Sequence, residues 1–397
     1  MNAVSLYAHI PFCAQKCGYC DFFSVPSRGG VPDEYVASLL SEAAQSARAF
    51  GVDAWSTLYL GGGTPSLLSA AQLVSLVRGL GEVRPFSPGA EITIEMNPES
   101  VRRELVEACA SCGVNRISLG VQALDGKALS AVGRAATPGM ALDALSLLEE
   151  AWDGRLSVDF IAGLPLQTRS SFVEQFQAAF RFKKIDHVSL YTLTVEDGTP
   201  LAEKIAGRET AFSCERADSL WIAGRDILER HGFLQYEVSN FARTGFKSRH
   251  NESYWKLRDY VGIGAGASGT VYGRSLRWSN TADIGAYCAF WSRGGGAGDD
   301  GLSTVRAVEV LDERTMMFEY AMMGFRLREG ISERDFFRRF GKPLAGVRTS
   351  GGETAGDVFA RWAERGLLVA RGRRGERRLF LSRDGILLLN RFLEELL

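Results

Sequence analysis

The 397-residue chain is short of the residues that would mark a secreted, membrane-spanning or nucleic-acid-binding protein. Seven cysteines over this length are too sparse for a disulfide scaffold. Lys and Arg total 46 against 47 Asp and Glu, leaving a net charge of −1, so no global field draws the chain to nucleic acid or an anionic membrane. Nowhere do about 18 uncharged apolar residues run together, as a spanning helix requires. The opening MNAVSLYAHIPF has neither a basic start nor a long apolar run, so no targeting segment is expected there. The expectation is a cytoplasmic, reduced protein with no nucleic-acid partner and no transmembrane segment; a peripheral membrane contact stays open.

What is present is ordinary globular material, 46% hydrophobic and 23% charged, enough for two or three domains of roughly 100–200 residues. The first half repeats a short β-branched or aromatic run, a polar or glycine break, and a longer helical pattern. Strands are predicted at Ser5–Ile10, Thr57–Leu60, Glu91–Glu95, Arg116–Gly120, Ser157–Ile161 and His187–Tyr191. Helices are predicted at Asp33–Phe50, Ala70–Leu80, Ser100–Ser111, Pro138–Trp152 and Ser170–Phe182, the third with Ser100 as N-cap and Gly113 after its end. Six such units make an α/β fold with a parallel sheet, either doubly wound or an incomplete barrel. Polar residues gather where successive strands end, at Gly61–Thr64, Glu95, Gln122, Asp159 and Tyr191, and point to one shared mouth.

After Phe241 the pattern changes. A basic stretch (243–251) precedes the glycine-rich VGIGAGASG (261–269), and RGGGAGDD (293–300) reads as a loop or hinge. From Asp312 helices dominate, followed by a hairpin turning at Arg371–Gly375 and an amphipathic helix at Gly385–Leu397, a winged-helix-like arrangement. The expected division is 1–240 for the barrel, 241–300 for a connecting region and 301–397 for a mainly helical C-terminal domain. The basic turn Arg371–Arg378 reads as a solvated hairpin.

Cys13, Cys17 and Cys20 form C-x3-C-x2-C just after the first predicted strand. Three thiolates from one loop can converge on a single inorganic centre. Structural zinc normally takes two separated ligand pairs; His9 could complete a Cys3His set, although it falls inside the strand. Cys109 and Cys112 read as small core residues. A four-iron cluster also takes four ligands, so three cysteines leave one iron for an exogenous ligand. In this the loop resembles the radical S-adenosylmethionine (SAM) superfamily, and the resemblance implies a [4Fe-4S] cluster on the three cysteines with SAM at the open iron. It also implies a partial (β/α)6 TIM-like barrel, and an electron donor that reduces the cluster.

Within that superfamily the chain resembles the oxygen-independent coproporphyrinogen III oxidase group. The shared segments are Leu6–Cys13, Leu60–Pro65, Glu95–Pro98, Ser118–Gln122, Gly133-Arg134, Val158–Pro165 and Tyr236–Phe241. The resemblance implies that Tyr7, Gly62, Gly63, Thr64, Glu95, Gln122, Arg134 and Asp159 surround SAM, with Tyr19 near its adenine. Two features depart from the oxidase. Its pattern continues C-x3-C-x2-C-x-C, but position 22 here is Phe22, and the oxidase has an N-terminal extension where this cysteine loop begins at residue 13. Both resemble instead the haem-chaperone (HemW-like) branch, whose His-Asn-x-x-Tyr-Trp stands here as His250-Asn251-Glu252-Ser253-Tyr254-Trp255. On a helix, His250, Asn251, Tyr254 and Trp255 share a face. The resemblance makes His250 an axial ligand of haem, with the aromatics covering the porphyrin. The implied function is to bind haem and pass it to an apo-haem-protein acceptor. The alternative is oxidative decarboxylation of coproporphyrinogen III, or another radical reaction on a tetrapyrrole. Ala136 and Leu166 replace a histidine and a glycine that relatives in the group carry beside the SAM site.

Overall fold

A computed structural model describes residues 2–294, 305–373 and 377–396. Six strands and their helices alternate as β1 (Ala3–Ile10), α1 (Asp33–Ala49), β2 (Ala54–Gly62), α2 (Ala70–Val83), β3 (Phe86–Met96), α3 (Arg103–Cys112), β4 (Arg116–Gln122), α4 (Pro138–Ala151), β5 (Arg155–Ala162), α5 (Arg169–Ala179) and β6 (Ile185–Thr192). Neighbours from β1 to β6 pair in parallel, giving the six-unit α/β sheet. The chain continues through α6 (Cys214–Arg230), β7 (Leu234–Gln235), β8 (Asn240–Ala242), α7 (Arg249–Trp255), β9 (Tyr260–Ile263), β10 (Ser268–Val271), β11 (Leu276–Asn280) and β12 (Arg306–Val310). Among the described residues these twelve strands form one sheet, ordered β12-β11-β10-β9-β1-β2-β3-β4-β5-β6-β8-β7. Its two edges, β12 and β7, do not meet, so the barrel is partial.

The stretch after residue 241 enters this same sheet. β9 lies parallel to β1, with Leu6 opposite Val261 and Tyr7 opposite Gly262, and β10 to β12 add antiparallel strands beside it. The glycine-rich segment is therefore a strand and the tight turn that follows it. The loop read at 293–300 lies outside the described residues beyond Gly294.

Side chains alternate across each strand with period two. Leu58, Leu60, Ile92, Ile94, Ile117, Leu119, Val158 and Val188 are buried against the helices in the main core. Their alternates are polar and buried as well: Thr57, Glu91, Thr93, Arg116, Ser118, Ser157, His187 and Ser189. Hence the outer face of the sheet holds the apolar core and the inner face holds a polar interior.

Local signals placed the helix ends unevenly. Gly113 ends α3 with φ 91°, a left-handed conformation that glycine adopts without strain. Ser100, expected to cap that helix, ends a 3-10 turn instead; its hydroxyl bonds the Asn97 carbonyl and Ser66. Ser69 caps α2 through a reciprocal pair with Gln72.

The C-terminal part has a core of its own, built by α8 (Glu313–Gly324), β13 (Ile331–Ser332), α9 (Glu333–Phe340), α10 (Ala355–Glu364), β14 (Leu368–Arg371), β15 (Arg378–Leu381) and α11 (Leu389–Leu396). β13, β15 and β14 form a small antiparallel sheet, so helices with a terminal hairpin match the winged-helix-like expectation. The basic turn is used internally. Arg377 pairs with Glu333 at 2.7 Å, and Arg378 donates to the Glu329 and Gly330 carbonyls; residues 374–376 lie outside the described residues. No described helix is long and apolar enough to cross a membrane.

One buried ion pair ties α1 to the added strands. Arg306 Nη2 lies 2.5 Å from Glu42 Oε1, and Glu42 also accepts from Asn280, Tyr287 and the Gly264 amide. Replacing Arg306 with Met strands that carboxylate and should lower unfolding free energy by about 3–5 kcal/mol in chemical denaturation. A loss under about 1 kcal/mol would mean that water reaches Glu42.

Candidate functional site

The cysteine loop leaves β1 through Phe12–Cys13, which pairs with Val25–Pro26 and so closes the loop on itself. Gly18 fastens it to the rest of the barrel: its amide donates to the Val132 carbonyl and its own carbonyl accepts from Leu201. Tyr19 packs into a small apolar cluster with Leu129, Val132 and Leu164. Burial pushes the Cys20 thiol up from its ordinary value.

Cys13, Cys17 and Cys20 line one cavity of about 300 Å³. Its wall includes Tyr19, Gly62, Gly63, Thr64, Glu95, Gln122, Arg134 and Asp159, nearly the whole set that the sequence proposed for SAM. Tyr7 sits behind this wall, donating or accepting at His9 Nδ1 over 2.8 Å. The glycines earn their place by close approach. A Cβ on Gly63 would fall 2.7 Å from the Phe12 carbonyl oxygen, and one on Gly62 would fall 2.5 Å from the His9 ring. The end of β2 can therefore lie directly against the base of the cysteine loop.

Polar groups already reach the thiols. Thr64 Oγ1 donates to Cys13 Sγ at 3.5 Å, and Arg134 Nη1 donates to Cys17 Sγ at 3.4 Å. Arg134 lines the cavity, and its Nε is buried with no hydrogen-bond partner among the described residues. Three thiols on one loop, with donors aimed at two of them and an adjoining polar cavity, fit a cluster that takes three thiolates and leaves one iron open. The zinc alternative fails on His9. Its Nδ1 faces the Tyr7 hydroxyl and its Nε2 the Phe23 carbonyl at 3.0 Å, so it completes no Cys3His set. Among the described residues, no three His, Cys, Asp or Glu side chains converge as ligands of one ion.

Residues 7–179 match the radical SAM superfamily. The heme chaperone HemW of Lactococcus lactis is 34% identical over 339 residues, 85% of each chain. Escherichia coli K12 heme chaperone HemW is 36% identical over 341 residues, covering 84% of this chain and 85% of its own. The chain belongs to the HemW branch of the radical SAM superfamily. That superfamily implies a [4Fe-4S] cluster and SAM. The solved structure of E. coli coproporphyrinogen III oxidase (HemN) superposes with a TM-score of 0.80 at 21% identity, over 99% of this chain and 89% of that one, so the HemN-like fold is shared.

The HemW-type motif does not lie at this mouth. α7 plugs the opposite end of the barrel, where the Glu91 carboxylate accepts from the backbone amides of Arg249 and His250, and Ser248 caps the helix at Asn251. His250, expected to bind iron, is buried, with Nδ1 2.7 Å from Thr57 Oγ1 and Nε2 2.7 Å from the Tyr254 hydroxyl. Its ring stacks on Tyr59, and burial holds its pKa down at about 3, so it is neutral. With both nitrogens engaged, it offers no free ligand in this arrangement. Trp255 faces the other way, under the Arg326 guanidinium 4.6 Å from its ring centroid. His250 and Tyr254 thus face the barrel interior, while Trp255 meets Arg326 of the C-terminal part.

Asn97 and Ser118 also line the mouth without having been named as site residues from sequence, whereas Tyr191, expected there as a strand-end residue, lies on its wall. Asn97 continues the inward period-two series of β3 two residues beyond Glu95, a signal that was available. Ser118 donates to Asp159 at 3.2 Å, which only the pairing of β4 with β5 brings about.

Glu95 is half-buried in the wall of the mouth. The Tyr59 hydroxyl donates to its Oε1 at 2.7 Å and the Gly62 amide to its Oε2 at 3.1 Å, yet burial pushes its carboxyl up to about 7. A folded-state pKa raised from 4.5 gives stability that is complete below about pH 4.5 and is lost as pH rises through about 7. Between pH 5 and 8, the metal-free protein should therefore lose up to about 3 kcal/mol relative to Glu95→Gln in urea titrations. A wild type that instead gains on the variant across that range would contradict this placement.

Proposed function

We propose that the chain is a haem chaperone. It binds haem and transfers it to an apo-haem-protein acceptor, with a [4Fe-4S] cluster on Cys13, Cys17 and Cys20 and SAM at the open iron. The observation that carries this reading is position 22. Where the oxidase pattern has a fourth cysteine, Phe22 stands 72% exposed on the cavity wall, to which Tyr191, 42% exposed, also contributes. The mouth thus lacks the oxidase's extra thiol and presents two exposed aromatic surfaces, alongside close relatives named as heme chaperones.

A cluster held by Cys13, Cys17 and Cys20 would supply the electron for reductive cleavage of a C–S bond in SAM. The chain's own groups do the holding. Gly62, Gly63 and Thr64 offer backbone and hydroxyl partners, and Glu95 and Asp159 accept from an ammonium and from ribose hydroxyls. Gln122 adds an amide, Arg134 pairs with a carboxylate, and Tyr7 backs the cavity while Tyr19 flanks the adenine. Cluster reduction calls for an electron donor, and a reduced, cytoplasmic setting suits three free thiols.

Haem ligation is assigned to His250, with Asn251, Tyr254 and Trp255 around it, once α7 releases the imidazole from Thr57 and Tyr254. Release also ends the stacking on Tyr59 and costs about 1–3 kcal/mol for each buried group left unpaired, a cost that haem binding must offset. Such a gated site suits a carrier that must also give its cargo up.

The deciding experiment is anaerobic haem transfer to apo-acceptors, run with and without SAM, beside a coproporphyrinogen III turnover assay. Transfer without turnover is expected, whereas turnover without transfer would favour the oxidase. Cys17→Ala should abolish iron retention, and a fully loaded variant would contradict the cluster assignment. His250→Ala should weaken haem binding and shift the Soret band; an unchanged Soret would remove His250 as ligand.

A further inference from the structure

Asn97 follows directly on β3 and bridges two residues that touch different cysteines. Its Nδ2 donates to Thr64 Oγ1 at 3.0 Å, and its Oδ1 accepts from Arg134 Nη2 at 2.7 Å. Thr64 in turn donates to Cys13 Sγ, while Arg134 Nη1 donates to Cys17 Sγ. The orientation of the amide is dictated by its neighbours, because a flipped Nδ2 would face a guanidinium that can only donate. All the donations therefore run one way: Arg134 to Asn97, Asn97 to Thr64, Thr64 to Cys13. One guanidinium charge supports both sulfurs, Cys17 directly and Cys13 through a polarised chain.

The surrounding backbone leaves room for this node. A Cβ on Gly120 would lie 2.8 Å from Gln122 Nε2 and 3.2 Å from both Asn97 Oδ1 and Arg134 Nη2, so a side chain there would press on the node. Arg134 is held from its other side by the Gly120 carbonyl at 2.9 Å. Asn97 is itself anchored, its amide donating to Ser66 Oγ and its carbonyl accepting from Ser100.

We infer that Asn97 is a positioning residue that aligns Thr64 and Arg134 as hydrogen-bond donors to Cys13 and Cys17, and so tunes the potential and retention of the cluster. This rests on the cysteine triplet holding a cluster. Asn suits the position because its amide accepts and donates at once, which neither Asp nor an aliphatic side chain does. Hydrogen bonds to cluster sulfurs favour the more negative, reduced state and raise its potential.

The test is an EPR-monitored redox titration of full-length, anaerobically reconstituted protein without SAM, for wild type, Asn97→Ala, Thr64→Val and the double variant. Both single variants should move the midpoint to more negative potential. The double variant should show less than the sum of the two shifts, since Asn97 acts on Cys13 through Thr64. Thr64→Ser, which keeps the hydroxyl, should restore the wild-type value. Additive shifts, or a wild-type potential in Asn97→Ala, would overturn the inference. Should Asn97→Ala fail to hold iron, Asn97→Asp decides. It preserves the shape and the oxygen facing Arg134 but reverses the bond to Thr64, so its cluster should be lost to a chelator several-fold faster. A wild-type rate of loss would leave Asn97 a space-filling role only. Wild-type protein with no iron and sulfide would sink the cluster reading itself, a result distinct from unaltered potentials in loaded variants.

Discussion

A sheet that is polar on its concave face sets the terms for this molecule. Buried polar groups are costly unless each finds a partner, and here six adjacent strands turn carboxylates, hydroxyls, imidazoles and a guanidinium inward. Arg116 sits at the centre of that interior, within electrostatic reach of Glu91, Tyr236, Tyr59 and Asp159. His187 bridges Ser157 and Tyr236, and Tyr59 links the middle of the barrel to Glu95 at the mouth. Below, the interior is closed by α7, whose N-terminal amides satisfy Glu91. Above, it stays open as a cavity lined by the three thiols, Glu95, Arg134 and Asp159.

The cysteine loop depends on that frame through contacts of backbone against backbone. Gly62 and Gly63 bring β2 against its base, and on the other side Gly264 and Gly266 bring the turn after β9 against His9 and Phe23. A Cβ on Gly264 would lie 2.5 Å from the His9 carbonyl oxygen. The loop is thus clamped between the second barrel strand and the strands added at the far side of β1. The Glu42–Arg306 pair, which also engages the Gly264 amide, holds those added strands to α1. A single connected set of contacts therefore runs from a buried ion pair near the sheet edge to the sulfur donors.

The two ends of the barrel carry different chemistry. The mouth holds thiols, carboxylates and exposed aromatics; the floor holds a neutral, fully hydrogen-bonded histidine on a seven-residue helix. Tyr59 joins them, stacking on His250 while donating to Glu95. A change in the protonation or occupancy at Glu95 therefore has a direct physical route to the helix that carries His250.

Much of this was legible in the linear chain. Strand–helix alternation specifies a parallel α/β sheet because each crossover must return the chain to the same end. C-x3-C-x2-C after the first strand puts three thiols on one loop, and polar residues at strand ends converge because parallel strands share one C-terminal edge. Tertiary structure alone decided the rest. The segment after residue 241 joined the barrel sheet, since a four-residue strand such as β9 carries too little periodicity to declare its partner. His250 went inward rather than outward because its helix is anchored by Glu91, 159 positions earlier, a pairing no local pattern encodes. Asn97 became the bridge between two cysteine donors because β2, β3 and the loop bearing Arg134 meet only in space. Local chemistry and periodicity determined which groups this protein has; long-range packing determined which of them face one another.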